Sequence, residues 1–543
     1  MKRRRLMGTA AAALLARPMM AHAAELPIAA EVRIDTKQVL RRIPRGLFGM
    51  NIEVIRDANG LWDPAQQRLD PTIVALARDL RLGPIRFPGG VWSDTYDWRN
   101  GVGPRGTRRP TPTHPGASET IAHGFGTDEA LQFAAAADST LLITVNAANN
   151  NARLAADWVR YVNGQGGTSP HGPRVGIWQV GNELYMQGDA SGGHLSPDAY
   201  ASRFLAYADA MKAADPTIRV AAIGLRNRGR YQLNRYDNWN EVLLRRAGAA
   251  IDLLTVHNGY APVVGDDGRL DAAEVYSAMW AAPQNVAANL AETWQEVQRF
   301  APAHAGRIRL GITEWGPLFA INPASPWLDH SKTLGSAIHV AAALRVYAMT
   351  PQLDLANFFK LNDILYMGLI GRRDGNWAPT APYMAFRMVS RDMQPGLLAA
   401  AVDVPAYASR AIGFIDAVGQ VPYLDVLATL SDDRRTLTVL LINKSLTRPV
   451  AARVGLGGAR GAARLVIETL TGASADSHTG TELPRIPGIN WAAPKRVGPQ
   501  ARIDRGGPDE VRLERRTATP GAEVQVSVPP HSLQLLRFEG LQA

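Results

Sequence analysis

The stretch "IWQVGNELYMQG" (residues 177–188) begins as a largely apolar run and ends abruptly in polar residues. The run stops at Gly181, and the next two residues are Asn182 and Glu183. An apolar strand that ends in polar side chains is typical of α/β proteins, in which functional groups follow the carboxyl ends of parallel strands. The role of Glu183 therefore depends on whether a partner carboxylate follows another strand.

The pattern around this stretch continues from about residue 45 to 390, where short apolar runs alternate with longer segments of helical periodicity such as 197–215. Eight alternations over roughly 350 residues predict a (β/α)8 TIM barrel with long loops. A doubly wound open sheet is the competing topology, and it usually has a Gly-rich phosphate turn that is missing here. The predicted barrel strands are "GLFGMNI" (46–52), "PIRF" (84–87), "TLLITV" (140–145), "GIWQV" (176–180), "RVAAI" (219–223), "IDLLTV" (251–256), "RIRLGI" (307–312) and "LANFFKL" (355–361).

The alternation of strand-like and helical segments ends at about residue 390. Strand-like runs bounded by Gly, Pro, Asn and Asp predict an all-β sandwich over residues 391–543. Residues 471–518 are rich in Gly, Pro and Arg, which indicates a long excursion rather than a core element. The strand-like "AAEVRID" within residues 24–45 precedes the barrel, and we expect it to join the C-terminal sheet. The predicted sandwich strands are "RTLTVLLINKS" (435–445), "AARLVIETL" (462–470), "AEVQVSV" (522–528) and "SLQLLRFEG" (532–540).

The N-terminus has the features of a bacterial export signal. A basic head is followed by a short apolar stretch and by Ala21-His22-Ala23, a small-x-small cleavage pattern. These features predict a signal peptide over residues 1–23, too short for a stable membrane span, and a periplasmic or secreted mature protein. The alternative is a disordered basic tail on a cytosolic protein.

Charge and cysteine content exclude several classes of protein. Five of the formal +10 charges lie in residues 1–23, which hold no acidic residue, so the remainder carries only +5. This mild excess, spread over a large surface, gives no argument for nucleic acid as a partner. The chain has no cysteine, which rules out disulfides and thiolate chemistry. It also shows no His/Asp/Glu spacing typical of zinc, so no metal or other cofactor is predicted.

Carboxylates close the fourth and seventh predicted strands, in "GNE" (181–183) and "ITEW" (312–315). These strands lie on opposite sides of a barrel mouth, so Glu183 and Glu314 can face each other across a sugar-sized gap. Glycosidic bond cleavage needs such a pair, one group to protonate the leaving oxygen and one to attack or to activate water. Either glutamate alone would more often be a helix cap or a solvated turn. His257, at the end of the sixth strand, would by itself more often be structural.

The chain resembles the retaining α-L-arabinofuranosidases of glycoside hydrolase family 51 from about residue 46 to the C-terminus. The second and fourth of the motifs that carry the resemblance are the most specific. The motifs are "FGMNIE" (48–53), "IRFPGGVWSDTYDWRNGVGP" (85–104), "FGTDEALQFA" (125–134), "QVGNE" (179–183), "ITEW" (312–315), "APTAPYMAF" (378–386) and "VPPHSLQLLRF" (528–538).

The resemblance implies that Glu183 is the acid/base and Glu314 the nucleophile of a double displacement. It also implies that Asn182 holds the sugar 2-hydroxyl, that Glu53 binds hydroxyls at the pocket floor, and that Tyr260 orients the nucleophile. The other residues that we expect to contact substrate are Val91, Trp92, Trp98, His257, Trp315 and Lys360.

Two positions depart from the family pattern. Val91 stands where the family usually has Asn or Cys, and Lys360 stands where it usually has Gln. One interpretation packs the stem of Lys360 on the barrel with its ammonium in water. The other has the ammonium bind a negative group, or a ring hydroxyl placed differently from that of arabinofuranose, which predicts a sugar other than plain α-L-arabinofuranose.

The main hypothesis is an exported, metal-independent, exo-acting α-L-arabinofuranosidase that acts on plant polysaccharides or oligosaccharides. The alternative is a related retaining enzyme for a galactofuranoside, a uronic-acid-bearing glycan or a β-glucan. A third hypothesis is a non-catalytic carbohydrate-binding barrel, which predicts that one of the two glutamates is replaced. The expected partner is carbohydrate alone, and the family tendency to form hexamers leaves room for a homo-oligomer.

Overall fold

The barrel strands are all present, parallel and closed into a ring. In this computed structural model, sheet neighbours run in chain order, and Leu253–Val256 pairs directly with the first part of Arg309–Leu318, which closes the ring. A further short strand, Gly259–Pro262, pairs with the last part of Arg309–Leu318. The barrel prediction is confirmed. The eight strands are Gly49–Asn51, Ile85–Phe87, Leu141–Val145, Ile177–Val180, Arg219–Ile223, Leu253–Val256, Arg309–Leu318 and Leu353–Phe358. The structure describes residues 25–112, 118, 120–164, 171–186, 194–225, 236–257, 259–265, 269–320, 325–363, 367–458, 461–482, 510–521 and 523–542.

Within these ranges each barrel strand leads to one α-helix. Several helices begin where the sequence provides a cap: the Ser196 side chain accepts from the Ala199 N–H, and Pro197 occupies the first turn. None of the described helices combines the length and apolarity that a membrane span requires. The longer helices are Pro71–Asp79, Thr127–Ala136, Ala152–Asn163, Pro197–Ala214, Trp239–Ala247, Ala272–Phe300, Leu334–Met349 and Ala381–Asp392, and a short helical turn, Arg56–Gly60, precedes the first of them.

The C-terminal region forms one continuous nine-stranded sheet that curls around its own core. Val32, Leu441 and Phe538, from strands well apart in the sheet, belong to the same buried cluster, which gives the layered arrangement of a sandwich. In order across the sheet the strands are Val511–Ala518, Arg464–Gly472, Ser532–Glu539, Thr436–Asn443, Leu424–Leu430, Gly396–Asp403, Ile28–Arg42, Val450–Gly457 and Glu523–Val528.

The N-terminal strand lies inside this sheet, parallel to Val450–Gly457 and antiparallel to Gly396–Asp403. The prediction that the excursion extends to residue 518 is wrong, because Val511–Ala518 is an edge strand of the sheet, paired with Arg464–Gly472. Its charged side chains point to solvent, so the strand lacks the apolar alternation by which sequence reasoning finds strands. Most of the excursion and the predicted signal peptide lie outside the described residues.

Side chains on the two faces of the same sheet strands pack into the cores of the two domains. Leu440 and Leu535 belong to the barrel's buried cluster, whereas their neighbours Leu441 and Leu536 belong to the core of the sheet. Successive side chains of a strand point to opposite faces, so one strand supplies both cores. The sheet is thereby fixed against the barrel.

Candidate active site

Glu183 and Glu314 meet at one histidine. Nδ1 of His257 lies 3.0 Å from Oε1 of Glu183 and 3.6 Å from Oε2 of Glu314. Its other ring nitrogen, Nε2, lies 3.0 Å from the hydroxyl of Thr313. The structure thus brings together three residues that the sequence predicted, and His257 joins the two carboxylates rather than serving a remote structural purpose.

Arg86 holds the base of the site. It is fully buried on the second barrel strand, and its guanidinium donates to Oε1 of Glu314 at 2.7 Å and to Oδ1 of Asn182 at 2.7 Å. Asn51 and Thr144, on the flanking strands, accept its remaining contacts at 3.2 and 3.1 Å. Because arginine stays protonated in proteins, this cation is a permanent counter-charge for Glu314.

Both oxygens of Glu314 are hydrogen-bonded. Tyr260 donates to Oε2 at 2.6 Å, opposite the contact of Arg86 with Oε1. Burial opposes the ionisation of Glu314, but the charges of His257 and Arg86 and the Tyr260 hydrogen bond outweigh it and lower the pKa of this carboxyl. Glu314 is therefore held as a carboxylate in a fixed orientation, the state that a nucleophile requires.

The "GNE" turn is shaped by a glycine and a buried carboxyl. Gly181 has a φ of +79°, and a Cβ there would come within 2.7 Å of Leu184. The backbone N–H of Asn182 then donates to Asp94 at 3.3 Å, and burial raises the pKa of Asp94 well above its usual range. Nδ2 of Asn182 has no partner among the described residues, so this buried donor is free for a ligand.

Glu53 and Lys360 form a second charged pair in the wall of the site. The ammonium lies 2.5 Å from Oε2 of Glu53, and the two side chains are only 3% and 4% exposed. Of the two interpretations of Lys360, the one that places its ammonium in water is therefore wrong. Burial lowers the pKa of Lys360, while Glu53, Glu314 and Asp363 oppose that shift.

Two glycines bring these charged groups close together. A Cβ on Gly89, which has a φ of +116°, would lie 2.7 Å from Cγ of Glu53, and a Cβ on Gly90 would lie 2.9 Å from Oε1 of Glu314. The turn in "FPGG" (87–90) thus passes between the two carboxylates. Val91 and Trp92 follow it in a half-buried 3₁₀ turn, Val91–Asp94.

Two predicted contacts lie away from the carboxylates. Trp98 stacks on Trp158 at 6.2 Å and donates to the Leu154 carbonyl, so it anchors its loop to a helix. Trp315 is fully buried against Tyr347 and Phe386, because the residue after Glu314 points out of the barrel onto the helices.

Sequence reasoning missed Arg86 and Asp94. Arg86 had a signal, since a charged residue within the apolar run "PIRF" (84–87) must find a buried partner. Asp94 had none, because an aspartate in a polar loop is ordinary. Within the described ranges, no three His, Asp or Glu side chains are grouped to hold a metal ion.

A barrel with carboxylates at the ends of its fourth and seventh strands, both in contact with one histidine, has the paired carboxyl groups that a glycosidase uses. The comparisons with known proteins agree with this class. The sequence profile described as the alpha-L-arabinofuranosidase 1 domain matches residues 76–244. The chain is 23% identical over 462 residues to the intracellular exo-alpha-(1->5)-L-arabinofuranosidase of Bifidobacterium longum, covering 77% of this chain and 79% of that protein.

A second relative and a solved structure extend the match. The intracellular exo-alpha-(1->5)-L-arabinofuranosidase 1 of Bacillus subtilis is 23% identical over 448 residues, covering 77% of this chain and 85% of that protein. The fold is similar to that of the alpha-L-arabinofuranosidase from Thermotoga maritima in its arabinose complex, with a TM-score of 0.76, 21% identity, and coverage of 94% and 100%. These matches support an assignment to glycoside hydrolase family 51, and they are consistent with an O-glycosyl hydrolase.

Proposed function

We propose that this protein removes terminal α-L-arabinofuranosyl residues with retention of configuration, through a glycosyl-enzyme on Glu314. The observation that carries the proposal is the unequal setting of the two glutamates. Glu314 is 7% exposed and bonded through both oxygens, whereas Glu183 is 17% exposed and is contacted at one oxygen, Oε1, by His257 and Tyr185. The first setting suits a nucleophile, and the second suits a group that exchanges a proton with substrate and water.

In the first step an oxygen of Glu314 bonds to the anomeric carbon while the bond from that carbon to the leaving oxygen breaks. Glu183 gives its proton to the leaving oxygen, so the aglycone departs as a neutral alcohol. In the second step Glu183 takes a proton from water, the water oxygen bonds to the anomeric carbon, and the carboxylate of Glu314 is released. The charge that returns to Glu314 meets the waiting donors of Arg86 and Tyr260.

The names of the relatives and two features of the site support arabinofuranose as the sugar. The free Nδ2 of Asn182 offers a donor beside Glu314, where the resemblance expects the 2-hydroxyl. The positive charge of Lys360 is balanced by Glu53, so the site does not call for an anionic substrate. The replacement of the family's usual Gln by Lys360 favours another furanoside, such as a β-D-galactofuranoside, as the second candidate.

Hydrolysis of 4-nitrophenyl glycosides by protein lacking residues 1–23 tests the proposal. The panel contains the α-L-arabinofuranoside, β-D-galactofuranoside, β-D-glucoside, β-D-xyloside and a glucuronide, and Glu314→Gln is the control. We expect release from the arabinofuranoside alone, loss of release in the control, and an α-configured sugar as the first product in the NMR spectrum. A β-configured first product would overturn the retaining mechanism. Preference for another glycoside would overturn the assignment of arabinofuranose as the sugar.

Rescue by azide separates the roles of the two glutamates. Azide needs no general base, so it should restore turnover of Glu183→Ala on the 4-nitrophenyl substrate, whose leaving group needs little protonation, and yield the α-azide. With Glu314→Ala the same anion should attack in place of the nucleophile and yield the β-azide. The opposite pairing of variant and product would reverse the two assignments.

We also propose that the mature protein acts outside the cytoplasm, on the evidence of the basic and apolar pattern over residues 1–23. The curated relatives above are named intracellular, so the location needs its own test. Fractionation of expressing cells should recover a chain that begins near Ala24 in the periplasm or medium. A full-length cytoplasmic chain would contradict the proposal, and light scattering on the same preparation tests the expected homo-oligomer.

A further inference from the structure

The two oxygens of the Glu183 carboxyl have different surroundings. Oε1 lies 3.0 Å from Nδ1 of His257 and 3.3 Å from the hydroxyl of Tyr185. In the described part of the chain no side chain forms a hydrogen bond with Oε2. One oxygen is therefore held by the protein, and the other is left for substrate or water.

Tyr185 reaches Glu183 because the chain turns back on itself at this point. The backbone N–H of Met186 donates to the Glu183 carbonyl at 2.8 Å, which closes a tight turn. Leu184, inside the turn, is fully buried, and its carbonyl accepts from the N–H of Leu195 at 2.9 Å. The turn is thereby tied to the body of the barrel, with the Tyr185 hydroxyl beside the carboxyl two residues earlier.

The ring of Tyr185 is fixed by other aromatic side chains. It is 5% exposed and meets Trp239 edge-on, with 5.5 Å between the ring centroids. The indole N–H of Trp239 donates to the carbonyl of Ile223, at the end of the fifth barrel strand. Trp239 also stacks on Tyr200 at 5.0 Å, and the Tyr200 hydroxyl donates to the carbonyl of Val180, at the end of the fourth strand. Tyr185 is thus braced against the ends of two barrel strands.

The hydrogen bond from Tyr185 decides which oxygen of Glu183 carries a proton. A protonated carboxyl has one oxygen that donates and one that accepts. The Tyr185 hydroxyl donates to Oε1, so Oε1 is the accepting oxygen and the proton lies on Oε2. The proton therefore lies on the oxygen that a leaving group or a water molecule can approach.

We propose that Tyr185 is a positioning residue that fixes the carboxyl of Glu183, so that Oε2 exchanges the proton in both steps of the reaction. The proposal rests on the proposed function and deepens it. Its contact is 0.3 Å longer than that of His257, 3.3 against 3.0 Å, so Tyr185 is the weaker of the two partners. We expect its loss to lower the rate about 10-fold, whereas general acid catalysis as a whole contributes roughly 10²- to 10⁴-fold.

Tyr185→Phe tests the first step, because it removes the hydroxyl and keeps the ring that packs on Trp239. We would measure kcat/KM on the 2,4-dinitrophenyl, 4-nitrophenyl and phenyl α-L-arabinofuranosides. Dinitrophenolate leaves without a proton, whereas phenol needs one from Glu183. The variant should lose about 10-fold on the phenyl glycoside and hardly anything on the dinitrophenyl glycoside, which gives a steeper dependence on leaving-group acidity.

The second step is tested with the dinitrophenyl glycoside and azide. Its first step needs no acid, so we expect hydrolysis of the glycosyl-enzyme to limit kcat, and that hydrolysis needs Glu183 as a base. Tyr185→Phe should therefore lower kcat about 10-fold while kcat/KM stays near the wild-type value. Azide needs no base and should raise kcat of the variant towards that of wild type. A loss caused by altered folding would not respond to azide.

Tyr383→Phe is the matched control. Tyr383 is 3% exposed, and its hydroxyl donates to the Leu76 carbonyl at 2.9 Å and lies 3.4 Å from a carboxylate oxygen of Asp79. Its removal therefore measures the general cost of losing a buried tyrosine hydroxyl beside a carboxylate. We expect a lower Tm and an unchanged dependence on the leaving group.

An equal loss on all three leaving groups would overturn the proposal, because Tyr185 would then act through folding or sugar binding. Wild-type kcat/KM on the phenyl glycoside would overturn it as well. The series is run on whichever glycoside of the panel the wild type cleaves best. A sugar other than arabinofuranose thus overturns the proposed function and leaves this test intact, and a wild type that cleaves none overturns both.

Discussion

Nη1 of Arg86 lies 2.7 Å from Oε1 of Glu314. The Arg86 side chain has no exposed surface, and that of Glu314 is 7% exposed. The same guanidinium holds Asn182 through its other terminal nitrogen. One buried cation thereby sets the position of both the proposed nucleophile and the proposed 2-hydroxyl contact.

Arg86→Met should lower kcat/KM by about 10²- to 10³-fold, because a donor aimed at Glu314 is lost. It should also destabilise the fold by about 3–5 kcal/mol, since the buried carboxylate is left without its partner. Steady-state kinetics and urea unfolding measure the two effects. Arg86→Lys keeps the charge but not the fork, so it should retain more stability than activity. Wild-type kcat/KM in the Met variant would contradict this account.

Tyr260→Phe should move the acidic limb of the kcat/KM profile to higher pH. Glu314 must be ionised to attack, and the Tyr260 hydrogen bond helps to lower the pKa of its carboxyl, so activity is lost as the pH falls through that pKa. Without the hydroxyl the pKa rises and the loss begins at a higher pH. An unchanged acidic limb, measured between pH 3 and 7, would show that Tyr260 does not tune Glu314.

Asp94→Asn should remove part of the pH dependence of stability. Burial raises the pKa of Asp94 in the folded protein, so its contribution is fully present below the unfolded pKa and is lost as the pH rises through the folded value. The amide is neutral throughout, and it retains an oxygen to accept from Asn182. Tm measured from pH 4 to 9 should therefore fall less steeply in the variant than in wild type. Parallel curves would mean that Asp94 is ionised in the native state.

Gly89→Ala should impair both stability and catalysis. The residue has a positive φ, and its new Cβ would lie 2.7 Å from Cγ of Glu53. Gly103→Ala provides the control, since Gly103 also has a positive φ, +74°, but nothing lies within 4 Å of its Cβ position. We expect a loss of about 1 kcal/mol from backbone strain in the control. A larger loss and a reduced kcat/KM are expected for Gly89→Ala, and equal effects would show that Glu53 can move freely.

Local patterns accounted for the barrel strands and for Glu183 and Glu314. Strands and helices have periods of about two and 3.6 residues, which short windows of sequence reveal. The edge strand Val511–Ala518 was missed, since exposed charged residues leave no such period. Trp315 was predicted to contact substrate because it follows Glu314. Successive side chains of a strand point to opposite sides, so Trp315 points away from the site and packs on Tyr347.

The order of strands and helices, the two-domain division and the carboxylates at the ends of strands four and seven follow from residue patterns, because each of these depends on neighbours along the chain. Three contacts are visible only in the folded chain: Arg86 binds Glu314, His257 contacts both glutamates, and Lys360 pairs with Glu53. Those contacts join residues far apart in the chain, and closing the barrel is what brings them within hydrogen-bonding distance.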